Sequence, residues 1–150
     1  YTDSDGKEKT PVIIHRVIYG SLERFIGILI ENFKGAFPFW LSPVQVGIVP
    51  INEGHVEYAK EVQEALYAER VRCEADLSEN HMNKKIKGFR SYKTPYVVVL
   101  GDSEVENKTV AINIRGGKQL KNIPLDKFIA ACKKMNLEKT LELFDTEDQM

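Results

Sequence analysis

The chain lacks any apolar run approaching the roughly 18 residues that a membrane-spanning helix needs. Its opening residues, Tyr1 to Thr10, are polar and hold no signal-peptide core. Cysteine is scarce. Cys73 and Cys132 sit far apart in apolar stretches, which excludes a disulfide framework and reads as two reduced core thiols in a cytoplasmic protein. Charge of one sign is also missing: 21 Lys+Arg stand against 22 Asp+Glu, for a net charge of −1. That balance excludes a wholly basic nucleic-acid coat but leaves room for a local basic patch. There is no internal repeat, no low-complexity tract and no glycine-rich phosphate loop, since Gly116-Gly117 is too short a signal. No His-x3-His or Cys-x2-Cys spacing occurs, and no serine has a His-Asp pattern near it. An initiating Met is absent too, and the expectation is a piece of something longer.

What remains is a chain of 150 residues, 43% hydrophobic and 29% charged, about one ordinary soluble domain in size. Asp3-Ser-Asp-Gly6 carries turn chemistry. Pro11 to Tyr19 is a β-branched run of strand character. Leu22, Phe25, Ile26, Leu29, Ile30 and Phe33 then recur at helical spacing, with Ser21 as N-cap, Glu23 in the first turn and Gly35 just past the end. Residues 35–43 hold two prolines and a glycine among three aromatics, and a domain boundary belongs there, dividing 1–40 from 41–150.

Beyond the joint, strands and helices alternate. Val44–Ile51 is apolar on both faces, as a central strand is. A helix over His55–Ala68, an alternating strand over Val71–Leu77 and a polar helix over Asn80–Tyr92 follow. Tyr96–Leu100 reads as a buried strand, residues 101–108 as a turn, and Thr109–Arg115 as a strand pairing back. Pro124 opens a final amphipathic helix, and the acidic tail from Glu138 is expected to fray. The pattern specifies an α/β fold: a mixed, mostly parallel sheet with flanking helices.

Three features bear on chemistry. The helix start at Gly20-Ser-Leu-Glu-Arg24 presents unpaired N–H groups, and Arg24 could add a forked contact to a phosphate; an ordinary capped helix with a surface Arg explains the same residues. His15 lies in an apolar run, where a structural histidine is the simpler account than a metal ligand. Between Asn80 and Lys93 stand Lys84, Lys85, Lys87, Arg90 and Lys93 with no acid, and Phe89 and Tyr92 are interleaved. Such a run suits a phosphate backbone with stacked bases, and equally a solvated helix face.

Two stretches carry a family resemblance: Pro11-Val-Ile-Ile-His-Arg-Val-Ile-Tyr-Gly-Ser-Leu-Glu-Arg24, continuing to Glu31, and Phe37-Pro-Phe-Trp-Leu-Ser-Pro-Val-Gln-Val46. Together they resemble the threonyl-tRNA synthetases, class II enzymes, at motif 3 and the joint into the anticodon-binding domain. Gly101-Asp-Ser-Glu-Val-Glu106 is similar to the hairpin of that domain. The resemblance implies that residues 1–40 are the end of a catalytic domain and 41–150 an anticodon-binding domain. It implies that Arg24, beside Ser21, grips the ATP phosphates, and that His15 is one of three zinc ligands whose partners lie upstream. Zinc and ATP with magnesium would belong to the full-length enzyme, with no cofactor staying bound to this chain alone.

The same resemblance implies that the domain reads the second and third anticodon letters, G and U, and that Glu104 accepts hydrogen bonds from the guanine. It puts Asn113 where bacterial members often carry Arg, a departure for which Arg115 could substitute. Lys84, Lys85, Lys87 and Arg90 would follow the RNA backbone. The implied partners are the anticodon loop of tRNA-Thr, the catalytic domain of the same chain and a second subunit of a homodimeric parent enzyme, with no membrane. The implied activity is ATP-dependent attachment of threonine to tRNA in the parent, with the fragment inactive by itself. Two alternatives stand: the equivalent module of a prolyl-, histidyl- or glycyl-tRNA synthetase, and a non-catalytic protein-interaction module.

Overall fold

A computed structural model describes residues 1–149. Its centre is a five-stranded sheet in the order β2-β1-β3-β4-β5. The strand β1 (Val46–Pro50) is buried along its whole length, as its two apolar faces require. β2 (Cys73–Ala75) and β3 (Tyr96–Leu100) flank it in parallel, with Val46 opposite both Cys73 and Tyr96. β4 (Thr109–Ile114) runs antiparallel to β3, and β5 (Gln119–Pro124) antiparallel to β4. Two pairings are parallel and two antiparallel, a mixed sheet in which four of the five strands run the same way. β5 makes the second antiparallel pairing, and its sequence did not announce it: only Leu120 and Ile123 are buried in it. Gly116 and Gly117, at φ 108° and 101°, make the β4–β5 hairpin turn.

Side chains alternate across the sheet. Val46, Ile48, Val98, Leu100 and Ile112 form one face, covered by α2 (Val56–Ala68) and α5 (Leu125–Glu138) through Val62, Leu66, Phe128 and Met135. Phe39, from a short 3-10 turn in the joint, is fully buried against the Tyr96 ring at 5.5 Å, and Phe128 meets that ring edge-to-face at 5.8 Å. Burying one such side chain contributes about 1.5–3 kcal/mol. Arg72 fastens the joint, donating to the Ser42 carbonyl at 2.8 Å and the Trp40 carbonyl at 2.9 Å. Cys73 and Cys132 are buried free thiols; burial pushes Cys73 up to about 12 and Cys132 well above its ordinary value.

The opposite face is only partly covered. α3 (Met82–Ser91) packs Met82, Ile86 and Phe89 on Val49, Val97 and Val99. Gly47 lets this helix approach: a Cβ there would lie 2.6 Å from the Phe89 ring. Phe89 is therefore a packing residue rather than a free stacking platform, and of the two aromatics in the basic run only Tyr92 is open to solvent.

Three sequence expectations give way. Residues 11–19 form no strand and lie exposed, because a strand requires a neighbouring backbone and none lies beside this one among the described residues. Residues 102–107 form a helical turn and a half, α4 (Asp102–Asn107), instead of a plain turn. The backbone N–H of Gly101 donates to Glu104 Oε2 at 3.0 Å, and that local bond stabilises the helical start. The tail does not fray: Leu143 and Phe144 pack on the core, and the Phe144 carbonyl accepts from the Tyr96 hydroxyl at 2.8 Å. Ahead of the joint, α1 (Leu22–Phe33) starts at the Ser21 cap and ends through Lys34 and Gly35 in the left-handed region, as its sequence requires. None of its residues is buried among the described residues.

Candidate nucleic-acid interface

α3 stands over β1 and β3 and stops short of β4 and β5. The register places Asn113 opposite Val97 on one side and Gln119 on the other, so all three share the face that α3 partly covers. A groove of about 660 Å³ opens there, with Asn113 and Gln119 in its floor and Asn83, Lys87, Arg90 and Lys121 on its walls. Asn113 is 8% exposed, and its Oδ1 accepts from Gln119 Nε2. Lys87, Arg90 and Lys121 are exposed and form no ion pair among the described residues. The site is thus three uncommitted cations around a pair of amides. Cations supply sequence-independent attraction for phosphates, and amides supply donors and acceptors for base edges.

The basic run divides at Lys85. Lys84 is exposed, with its ammonium on Asn80 Oδ1 at 2.9 Å. Lys85, one residue on, is turned about 100° around the helix. It is only 5% exposed and donates to the Pro50 carbonyl at 3.3 Å. Lys85 is thereby removed from the expected phosphate contacts and becomes a clamp between α3 and the end of β1. Lys93 donates to the Lys34 carbonyl.

Arg115 follows β4, and its Nη1 donates to the Lys93 carbonyl at 2.9 Å. With Arg90, Lys93 and Asn113 it lines a second hollow of about 280 Å³. Asn113 and Arg115 are therefore together, as their spacing requires. Glu104 is not with them. It is half-buried on α4, beyond the far end of β3, and lines neither hollow. Four strand residues from Val97 to Gly101 amount to roughly 13 Å. Its Oε2 is held by Gly101, and its Oε1 takes no hydrogen bond among the described residues.

The N-terminal candidates lie elsewhere. Ser21 Oγ accepts from the Arg24 N–H at 3.4 Å and donates to Glu23 at 2.7 Å, which holds the Glu23 carboxyl below its usual range. Arg24 and His15 are exposed. No three His, Cys, Asp or Glu side chains group as metal ligands among the described residues. No helix among the described residues is long and apolar enough to cross a membrane.

Residues 45–135 match the family model described as the anticodon binding domain. The chain belongs to the anticodon binding domain family. The match spans the sheet and its helices, from the residue before β1 to within the last turn of α5. Among curated relatives of this anticodon binding domain, a threonine–tRNA ligase of Acidobacterium capsulatum is 48% identical over 129 residues, covering 86% of this chain and 19% of that protein. One from Thermotoga neapolitana is 46% identical over 143 residues, covering 95% of this chain and 22% of that protein. The chain thus spans about a fifth of the length of these relatives. Among solved structures, the RNA binding domain of threonyl-tRNA synthetase from Cryptosporidium parvum superposes with a TM-score of 0.73 at 35% identity, over 81% of this chain and 30% of that one. A prolyl-tRNA synthetase from the same organism reaches 0.62 at 21% identity, over 77% of this chain and 28% of that one, and shares the fold. The resemblance to threonyl-tRNA synthetases is borne out, and the prolyl-type alternative is not favoured.

Lys121 and Gln119 escaped the sequence reading. The signal was present, because a hairpin closed at Gly116-Gly117 sets Gln119 beside Asn113, but it requires β5 to be recognised first.

Proposed function

We propose that this anticodon binding domain grips the anticodon loop of tRNA, that of tRNA-Thr, within a threonine–tRNA ligase. The observation that carries the reading is the groove in which Lys87, Arg90 and Lys121 surround the Asn113–Gln119 amide pair. Lys84, Lys87 and Arg90 follow the loop phosphates. Asn113, in the floor of the groove, and Arg115, in the second hollow that Asn113 also lines, address one base.

Glu104 addresses guanine from the end of β3. With Oε2 held by Gly101, Oε1 is available to the N1–H and N2–H donors of guanine. Adenine presents an acceptor at N1, which would leave the carboxylate facing a lone pair, and an unmatched buried polar edge is strongly disfavoured.

Residues 1–40 are proposed as the end of a catalytic domain and 41–150 as the anticodon domain. In the complete enzyme, Ser21 and Arg24 would meet the ATP phosphates, and His15 would complete a zinc site with upstream ligands. The complete enzyme is proposed to be a cytoplasmic homodimer.

Anticodon stem-loop RNAs that differ in one letter test the reading. A wrong second letter is expected to weaken binding at least tenfold, and affinity to fall steeply with salt. Equal affinity for every letter removes the base-reading role. Pyrophosphate exchange with threonine and ATP is expected to be absent for this chain alone, because catalysis requires the complete, aligned set of groups.

A further inference from the structure

β1 and β3 end side by side, and the loops that follow them meet. The Ile51 N–H donates to the Leu100 carbonyl at 3.0 Å. The Ile51 side chain fills the space beside Gly101, where a Cβ would lie 2.9 Å from its Cδ1. His55 closes the turn before α2 and is only 4% exposed. Its Nε2 lies 2.9 Å from Asp102 Oδ1, at the first residue of α4. Asp102 is otherwise in solvent, its side chain 98% exposed, with no second hydrogen bond among the described residues. His55 Nδ1 is buried without a partner. The bond to a carboxylate requires a proton on Nε2.

A six-residue helix does not hold its own conformation in water, because nucleation is costly and too few bonds repay it. α4 is held by the Gly101–Glu104 bond at its start, by Val105 on the core, and by His55 at its first residue. Only the last tie joins it by a side-chain hydrogen bond to the loop after β1, across 47 positions of sequence. Glu104 sits two residues beyond Asp102, so rotation or fraying at Asp102 moves the Glu104 carboxylate directly.

We infer that His55 is a positioning residue for base recognition: through Asp102 it fixes the start of α4 and with it the Glu104 carboxylate. The inference rests on the reading of Glu104 given above. It assigns a purpose to a buried imidazole that contributes nothing to the basic groove.

The test uses the complete chain and two anticodon stem-loop RNAs, one with guanine and one with adenine at the second letter, and reads the ratio of their dissociation constants. Asp102→Ala removes an exposed side chain, leaves the core intact, and is expected to shrink the ratio about five- to tenfold with little change in Tm. His55→Leu is expected to do the same, and the double variant to add little. His55→Gln, whose amide nitrogen can reach Asp102, is expected to restore most of the ratio. Binding of the adenine RNA, which rests on the cations, should barely change. An undiminished ratio in Asp102→Ala, beside a collapsed ratio in Glu104→Gln, overturns the positioning role alone. An undiminished ratio in Glu104→Gln overturns the base reading and this inference with it.

Discussion

The segment before residue 34 and the sheet unit after it are built from the same apolar residue types and use them in opposite ways. Val12, Ile13, Ile14, Val17, Ile18, Leu22, Ile26, Ile28 and Ile30 are all exposed. Val46, Ile48, Val62, Leu66, Val98 and Ile112 are all buried. Local pattern is sufficient to cap and form α1, whose Ser21 start and Gly35 end are as well made as any in the chain. It is insufficient to bury α1, since burial needs a second surface. A stripe of helical period predicts which face would be covered; the covering element has to come from elsewhere.

The largest expected effect breaks the comparison by mutating equivalent side chains on its two sides. Leu66→Ala leaves a cavity between α2 and the sheet and should cost about 2–5 kcal/mol in urea unfolding. Ile26→Ala removes a half-exposed side chain that belongs to no buried cluster among the described residues, and should change stability by about 0.5 kcal/mol or less. Comparable losses at both positions would mean that α1 packs on the sheet in solution.

A smaller effect sharpens the boundary within the sheet unit. Gly47→Ala would set a methyl group 2.6 Å from the Phe89 ring and should cost about 1–3 kcal/mol, since the ring and α3 must shift to admit it. Phe89→Leu, made in the same chain, should return part of the loss. Unchanged stability in Gly47→Ala would show that α3 rides loosely over β1.

Within the sheet unit, the strands and helices that the sequence made most legible are those whose burial matches their own periodicity. β1 and β3 are apolar throughout, and α2 and α5 have one clear face. β5 was hidden because Gln119, Lys121 and Asn122 make it polar and Asn122 adopts φ 56° beside an irregular register with β4. α4 was hidden because Asp-Ser-Glu-Val-Glu-Asn has turn composition, and its helix depends on Gly101 and His55 as much as on itself. In the candidate site, Asn113 and Arg115 could be paired by strand alternation, but the depth of Asn113 could not. Lys85 was misread from the density of charge in its run. Its spacing of three from Met82 and four from Phe89 put it on the covered face of α3 all along.

That rotation of one residue gives the next comparison. Removing Lys87, Arg90 or Lys121 should each lower the slope of log affinity against log salt by about 1 while leaving Tm nearly unchanged. Lys85→Ala should do the reverse, lowering Tm through loss of the Pro50 bond and of buried stem contacts while barely moving the salt slope. A salt slope that falls by a full unit in Lys85→Ala would return that ammonium to the RNA.

The smallest effect concerns the thiols. Cys73 is held up to about 12 by burial and by Glu74 beside it, and complete enclosure holds Cys132 well above its ordinary value. The thiolate is the nucleophile, so a raised value means almost no reactive form near neutrality. Both groups lie between the sheet and the helices that cover it, so a reagent reaches them only when that interface opens. Alkylation of the folded chain at pH 8 should therefore be slow, equal at the two positions, and accelerated by urea in step with global unfolding. Faster labelling of Cys73 alone would identify the short edge strand β2 as a part of the sheet that opens by itself, and would place a weak margin inside the unit that otherwise contrasts so sharply with residues 1–33.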